Sequence, residues 1–256
     1  MKHLFISVLI FIIFANTNNS FAQKPRNDIK GNYLLKTQWG GNKLFYKYAP
    51  NNQPLGCHSV AIAQVLFYYR LAPFGKVNYK CSNGIKIHKN FSNYTYDWNK
   101  IAAKLTDSTA QAKTDATAFY AYAVACIVQK DFGTSQYVDI ESSNNHKSQI
   151  ESHFKCTYES YTFKPESSIS ALFERDKSIT DIIKREIDAK RPVGFYYDRP
   201  NNGGHAIVID GYTMKKNDFY IHANFGWSGS SDGWYLLPQD LPQDIRAIIL
   251  ITIKPI

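Results

Sequence analysis

Apolar side chains recur at helical spacing in three stretches before Pro192, and beyond it they fall into short runs cut by turn residues. Residues 57–70 contain neither Gly nor Pro and are stopped by Pro73 and Gly75, which predicts a helix. Its Val60, Ala61, Ile62, Ala63, Val65, Leu66 and Phe67 surround nearly the whole circumference, so this helix should be buried on most sides. Residues 112–130 set Ala116, Phe119, Tyr120, Ala123, Val124 and Ile127 at steps of three and four before Gly133, an amphipathic helix. A third helix, 179–190, carries Ile179, Ile182, Ile183 and Ile187 on one face and is ended by Pro192. Residues 193–197, 205–209, 219–223, 233–237 and 247–253 are then β-branched or aromatic runs divided by Asn, Gly, Asp and Pro clusters. An α+β protein follows, its first half mostly helical and its second half an antiparallel sheet or partial barrel. Residues 32–54 are Tyr-rich without a period, and no element is assigned to them.

The first 22 residues read differently. Lys2 gives a positive start, residues 4–15 are a nearly unbroken apolar run, and Ser20-Phe21-Ala22 has the small-x-small form of a cleavage site. A signal peptide over residues 1–22, cleaved after Ala22, is expected, and with it a secreted product, extracellular or periplasmic. An apolar run of 12 residues falls short of the roughly 20 that cross a bilayer, so stable membrane insertion is not expected. Residues 23–256 have the length of one large domain or of two lobes sharing a core. The chain is 44% hydrophobic and 15% aromatic, which excludes disorder. Its net charge of +9 is scattered without a helix-length stripe, so nucleic-acid binding is not expected. Cys57, Cys81, Cys126 and Cys156 form no C-x-x-C pair, which argues against a structural metal. Cys126 reads as a core thiol, and pairing of Cys81 with Cys156 stays open.

Candidate chemistry begins at Cys57, directly after Gly56 at the start of the buried helix, where free N–H groups and the helix dipole favour a thiolate. A small buried cysteine opening a core helix is the competing reading. Farther along, Asn201-Asn202-Gly203-Gly204-His205 plants an imidazole at the mouth of a strand, and Asn224-Phe225-Gly226-Trp227 ends another. The order Cys57, His205, Asn224 supplies a thiol, a base and an amide or carbonyl that fixes the imidazole tautomer. Asp210, before Gly211, reads as a turn residue, and His88, His146 and His153 as surface. His222 lies in an alternating strand without the glycine approach of His205.

These segments resemble the streptopain family of papain-like cysteine peptidases. The resemblance runs through Thr37-Gln38-Trp39-Gly40, Gly56-Cys57, Ala63-Gln64-Val65, Tyr96-Asp97-Trp98, Arg191-Pro192-Val193, Gly203-Gly204-His205-Ala206, Asn224-Phe225-Gly226-Trp227 and Ile253-Lys254-Pro255. It implies a two-lobed papain-like fold, with the thiol on a helix of one lobe and the imidazole on the antiparallel sheet of the other. By the same resemblance Cys57 is the nucleophile, His205 the general base and acid, and Trp227 a shield over the pair. The activity implied is hydrolysis of polypeptides through a thioester, without cofactor or metal.

The chain departs from that pattern in several places. The Gln that the family places shortly after the first Trp falls on Gly41, leaving Gln38 and Gln53 as candidate oxyanion donors. Phe225 replaces a Trp, keeping a ring beside His205 but losing its N–H. His58 replaces a small residue next to the nucleophile; adjacent helix positions point about 100° apart, which makes it a cleft-wall candidate and not the base. Thr37 stands 15 residues after the expected cleavage, so no long inhibitory prosegment is expected and a separate proteinaceous inhibitor is the candidate partner. Two other readings stay open: a catalytically weak or inactive module that binds peptides or an inhibitor, and a different acyl-transfer enzyme such as an amidase or transglutaminase.

Overall fold

Gly56 turns the chain at φ +84°, a conformation that favours glycine. A Cβ at that position would lie 2.5 Å from the Tyr137 hydroxyl. The first helix, α1 (Cys57–Tyr68), starts at the next residue, and every position from His58 to Leu66 is buried. Its apolar residues show no single face because the helix is enclosed: α2 (Gln111–Ile127) packs on one side and the sheet on another. The computed structural model describes residues 24–138, 143–200 and 203–256, together with the backbone alone for residues 143–145. The expected signal peptide at 1–22 and the residues Asn201 and Asn202 lie outside the described residues.

Between these helices a hairpin forms from β1 (Lys76–Lys80) and β2 (Lys86–Asn90). After α2 come α3 (Ser143–His153), β3 (Cys156–Phe163), α4 (Ile169–Arg175) and α5 (Ser178–Asp188). The rest is strand: β4 (Val193–Asp198), β5 (His205–Lys215), β6 (Asp218–Asn224), β7 (Gly233–Leu237) and β8 (Ala247–Pro255). The large sheet has the order β3-β8-β4-β5-β6-β7, and each neighbouring pair is antiparallel.

Both faces of this sheet are covered. Along β5, Ala206 and Val208 join the core shared with α1 and α2, whereas Ile207 and Ile209 join a second core under α4 and α5. That is why the run 206–209 is apolar at every position instead of every other one. The result is the α+β arrangement expected, a helical lobe against an antiparallel sheet. Trp39 staples the N-terminal segment into the first core: it is fully buried, its indole N–H donates to Ala102 O at 2.8 Å, and its ring lies 5.0 Å from Phe67. Two 3-10 turns, Lys43–Tyr46 and Pro50–Asn52, occupy the segment left without an element.

The sequence reading needs correction at several points. His146 and His153, taken as surface, are buried at 8% exposure each. The His153 ring pairs with Gln149 O at 2.8 Å and Lys76 O at 3.2 Å, tying α3 to β1. The pairing left open between Cys81 and Cys156 does not form; all four cysteines are free thiols. Asp210 is no turn residue, since it lies buried within β5 at a register shift.

Candidate active site

Cys57 is the first residue of α1 and is half-buried. Of the N–H groups in that first turn, Ser59 donates to the Tyr137 hydroxyl at 3.1 Å and Val60 bonds Gly56 O. The His58 N–H is shared between the Tyr137 hydroxyl and the Cys57 sulfur, and the Cys57 N–H also bears on that sulfur. Burial pushes the Cys57 thiol up; the N–H groups of Ala206, His58 and Cys57 itself, and the Lys130 charge, oppose that rise. Ala206 follows His205 on β5, the strand on which α1 packs. Lys130 is buried behind the turn, and its ammonium donates to the carbonyls of Asp131, Thr134 and Gln136 at 3.1, 2.6 and 2.8 Å.

His205 opens β5. Gly204 before it admits the Tyr196 hydroxyl, which a Cβ would meet at 2.2 Å, so the glycine approach seen in the sequence has a steric cause. The Nε2 of His205 lies 3.1 Å from the carbonyl oxygen of Phe225. A carbonyl only accepts, so Nε2 carries the proton and Nδ1 of the neutral ring is the free acceptor. Burial pushes His205 down to about 4, against the raising effect of that carbonyl. Trp227 closes over the imidazole with centroids 4.7 Å apart, and the Phe225 ring is stacked at 6.1 Å.

Asn224 does not hold His205 with its own amide. Its Nδ2 donates to Thr37 O at 2.6 Å, and its Oδ1 accepts from Gln64 Nε2 at 2.9 Å and Gly226 N at 3.1 Å. Gly226 N belongs to the same peptide unit as Phe225 O, so Asn224 fixes the plane of the carbonyl that holds the imidazole. Gln64, seven positions along α1 from Cys57 and fully buried, couples that brace to the thiol-bearing helix. Its part was missed in the sequence because a buried glutamine in an apolar helix carries no signal of its partner 160 residues away.

Other candidates scatter. His58 is buried against α3, stacked on His146 at 4.8 Å and edge-on to Tyr137 at 5.4 Å. It is therefore packed in the helical lobe and is not an open cleft wall. Gln38 presents its amide to Gly229, in the loop after Trp227, and Gln53 is half-buried four residues before Cys57. Gly41 has φ +64°, and a Cβ there would lie 3.1 Å from Trp227 Cα. His222 pairs through Nδ1 with Asp210 at 2.6 Å and stacks on Tyr33 at 4.0 Å, far along β5 and β6 from the strand start that carries His205.

A cysteine on the first turn of a central helix that packs on the strand opened by His205, within a helical lobe set against an antiparallel sheet, is the arrangement of the papain-like cysteine peptidases. The chain belongs to the Peptidase C10 family, whose model matches residues 39–235. It is similar to streptopain of Streptococcus pyogenes, 28% identical over 194 residues, which cover 71% of this chain and 45% of that protein. The thiol protease/hemagglutinin PrtT of Porphyromonas gingivalis is 24% identical over 193 residues, covering 71% of this chain and 20% of that protein. This chain thus spans under half the length of either relative. Among solved structures, the active interpain A cysteine protease of Prevotella intermedia superposes with a TM-score of 0.63 at 21% identity, covering 90% of this chain and 95% of that one.

Proposed function

We propose that this chain is a secreted cysteine endopeptidase in which Cys57 is the nucleophile and His205 the base and acid. The observation that carries the reading is the Phe225 carbonyl on His205 Nε2, which leaves Nδ1 as acceptor at the start of β5, the strand on which the Cys57 helix packs. With both groups shifted by burial toward their neutral forms, the thiol proton passes to Nδ1 as the sulfur attacks a peptide carbonyl. His205 then protonates the departing amine, and water activated by the same nitrogen hydrolyses the thioester. The Cys57 N–H stabilises the oxyanion. Export after cleavage near Ala22 and control by a separate inhibitor protein belong to the same proposal.

A second reading keeps the fold as a peptide- or inhibitor-binding module without turnover, and Gly41 favours it by leaving no side chain where relatives of the streptopain type carry an amide donor. One experiment separates the two. The catalytic reading expects Cys57 to be alkylated by a thiol-directed epoxide at mildly acid pH, and casein hydrolysis to vanish in Cys57→Ala. An unreactive Cys57 in folded protein that still binds peptide would establish the binding module instead.

A further inference from the structure

The loop between β6 and β7 contains a second brace on the carbonyl that holds His205. Phe225 N–H donates to Asp232 Oδ1 at 2.8 Å. The peptide before Phe225 is thus anchored by Asp232, and the peptide after it is anchored by Asn224 through Gly226 N. Both torsions of Phe225 are fixed between these anchors, and with them the direction of its C=O. We propose that Asp232 is a positioning residue for the hydrolytic reaction, holding the Phe225 carbonyl in line with His205 Nε2 so that Nδ1 faces the thiol. The inference rests on the peptidase reading given above.

Asp232 also lines a cavity of about 280 Å³ between β7 and the N-terminal arm, together with Arg26, Lys30, Tyr33 and Trp234. Asp232 is half-buried at that cavity, whereas Asn224 is sealed. The titratable groups around Asp232 are His222 of β6, Asp210 of β5, Tyr235 of β7, and Arg26, Lys30 and Tyr33 of the arm. Burial pushes Asp232 up to about 6, Asp210 adds to the rise, and the Phe225 N–H and His222 oppose it. As pH falls through that value the charge-assisted bond to Phe225 N–H becomes a weaker neutral one, and the grip on the imidazole loosens.

The test compares wild type, Asp232→Asn and Asp232→Ala between pH 5 and 8, reading kcat and KM on a fluorogenic peptide. Exchange of the His205 Nε2 proton is followed in parallel by NMR on ¹⁵N-histidine protein carrying Cys57→Ala. The amide of Asp232→Asn still accepts from Phe225 N–H but does not titrate, so it should keep kcat within about threefold and lose the inflection near pH 6. Asp232→Ala should lower kcat by about tenfold to a hundredfold at nearly unchanged KM and speed exchange of the Nε2 proton. Wild-type kcat and wild-type proton protection in Asp232→Ala would overturn the positioning role, as would equal defects in the Asn and Ala variants. If wild type hydrolyses no peptide yet Asp232→Ala still frees the Nε2 proton, the peptidase reading falls, while the hold of Asp232 on the Phe225 carbonyl and through it on His205 stands.

Discussion

Replacing His58 by Phe should remove a large part of the acid sensitivity of the fold. Burial, with His146 adding, pushes His58 down to about 3 from 6.5. A histidine with a depressed folded value contributes its full stability above the unfolded value, and that contribution is lost as pH falls through the window from 6.5 to about 3. At about 1.4 kcal/mol for each factor of ten, the complete loss is about 5 kcal/mol, of which about 2 kcal/mol is spent between pH 7 and pH 5. Phe keeps the stack on His146 and the edge contact with Tyr137, so the contribution at pH 7 should change little. His205 is shifted in the same direction and remains in both proteins, so it cancels, and the double difference reports His58 together with its coupling to His146. The assay is urea unfolding by tryptophan fluorescence at pH 7 and pH 5, in a Cys57→Ala background that prevents self-digestion. With a slope of about 3 kcal/mol per molar urea, the drop in midpoint on acidification should be about 0.7 M smaller in His58→Phe than in the background. Equal drops in the two proteins would show that His58 does not sit neutral and buried against α3.

Three other outcomes follow from the same geometry. In native protein a disulfide-forming aromatic reagent should modify a single thiol, Cys57, and four in urea, because Cys81, Cys126 and Cys156 are buried and free; two reactive thiols in urea would mean a disulfide. Lys130→Met should cost at least about 3 kcal/mol, since three carbonyls lose their shared donor, and should move alkylation of Cys57 to higher pH by removing a charge that lowers the thiol; an unchanged alkylation profile would disprove the electrostatic part. Gly41→Gln should lower Tm by about 2 to 8 °C, because φ is +64° and the new Cβ presses on Trp227; a gain in turnover at unchanged Tm would show instead that an amide is tolerated there and supplies the missing donor.

The elements legible in the sequence were those whose apolar residues repeat. The runs at 193–197 and 233–237 lie within β4 (Val193–Asp198) and coincide with β7 (Gly233–Leu237), and α2 and α5 begin within a residue of the expected starts. The hairpin escaped because each strand buries only one side chain, Val77 in β1 and Ile87 in β2, among lysines. Helix α3 escaped for a chemical reason: among its described side chains the buried ones are His146, Ile150 and His153, spaced by four and three residues, and two of the three are polar. Such a face is helical in spacing but silent to a reading that counts hydrophobic residues. Asp210 was misread because Asp before Gly is a common turn signal, whereas here the carboxylate is satisfied by His222 of the neighbouring strand and by the Leu35 N–H of the N-terminal segment.

The proposed thiol and imidazole could be picked out of the sequence because each must be one particular residue type at one kind of position. The groups that hold the imidazole are another matter. Phe in place of Trp at 225 looked like a lost donor, yet the atom that meets His205 is the main-chain oxygen, which every residue type supplies. What a main-chain acceptor demands is a fixed direction, and here that direction depends on side chains from three distant places in the chain: Gln64 on α1, Asn224 at the end of β6, and Asp232 before β7. Substitutions at 225 that preserve its packing against Tyr235 and Trp227 should therefore leave the imidazole in place. Loss of a brace several ångströms away should turn the carbonyl and release the ring. Tolerance at the contacting residue and sensitivity at its supports is the opposite of what the order Cys57, His205, Asn224 implies when the third member is read as a side-chain partner of the second.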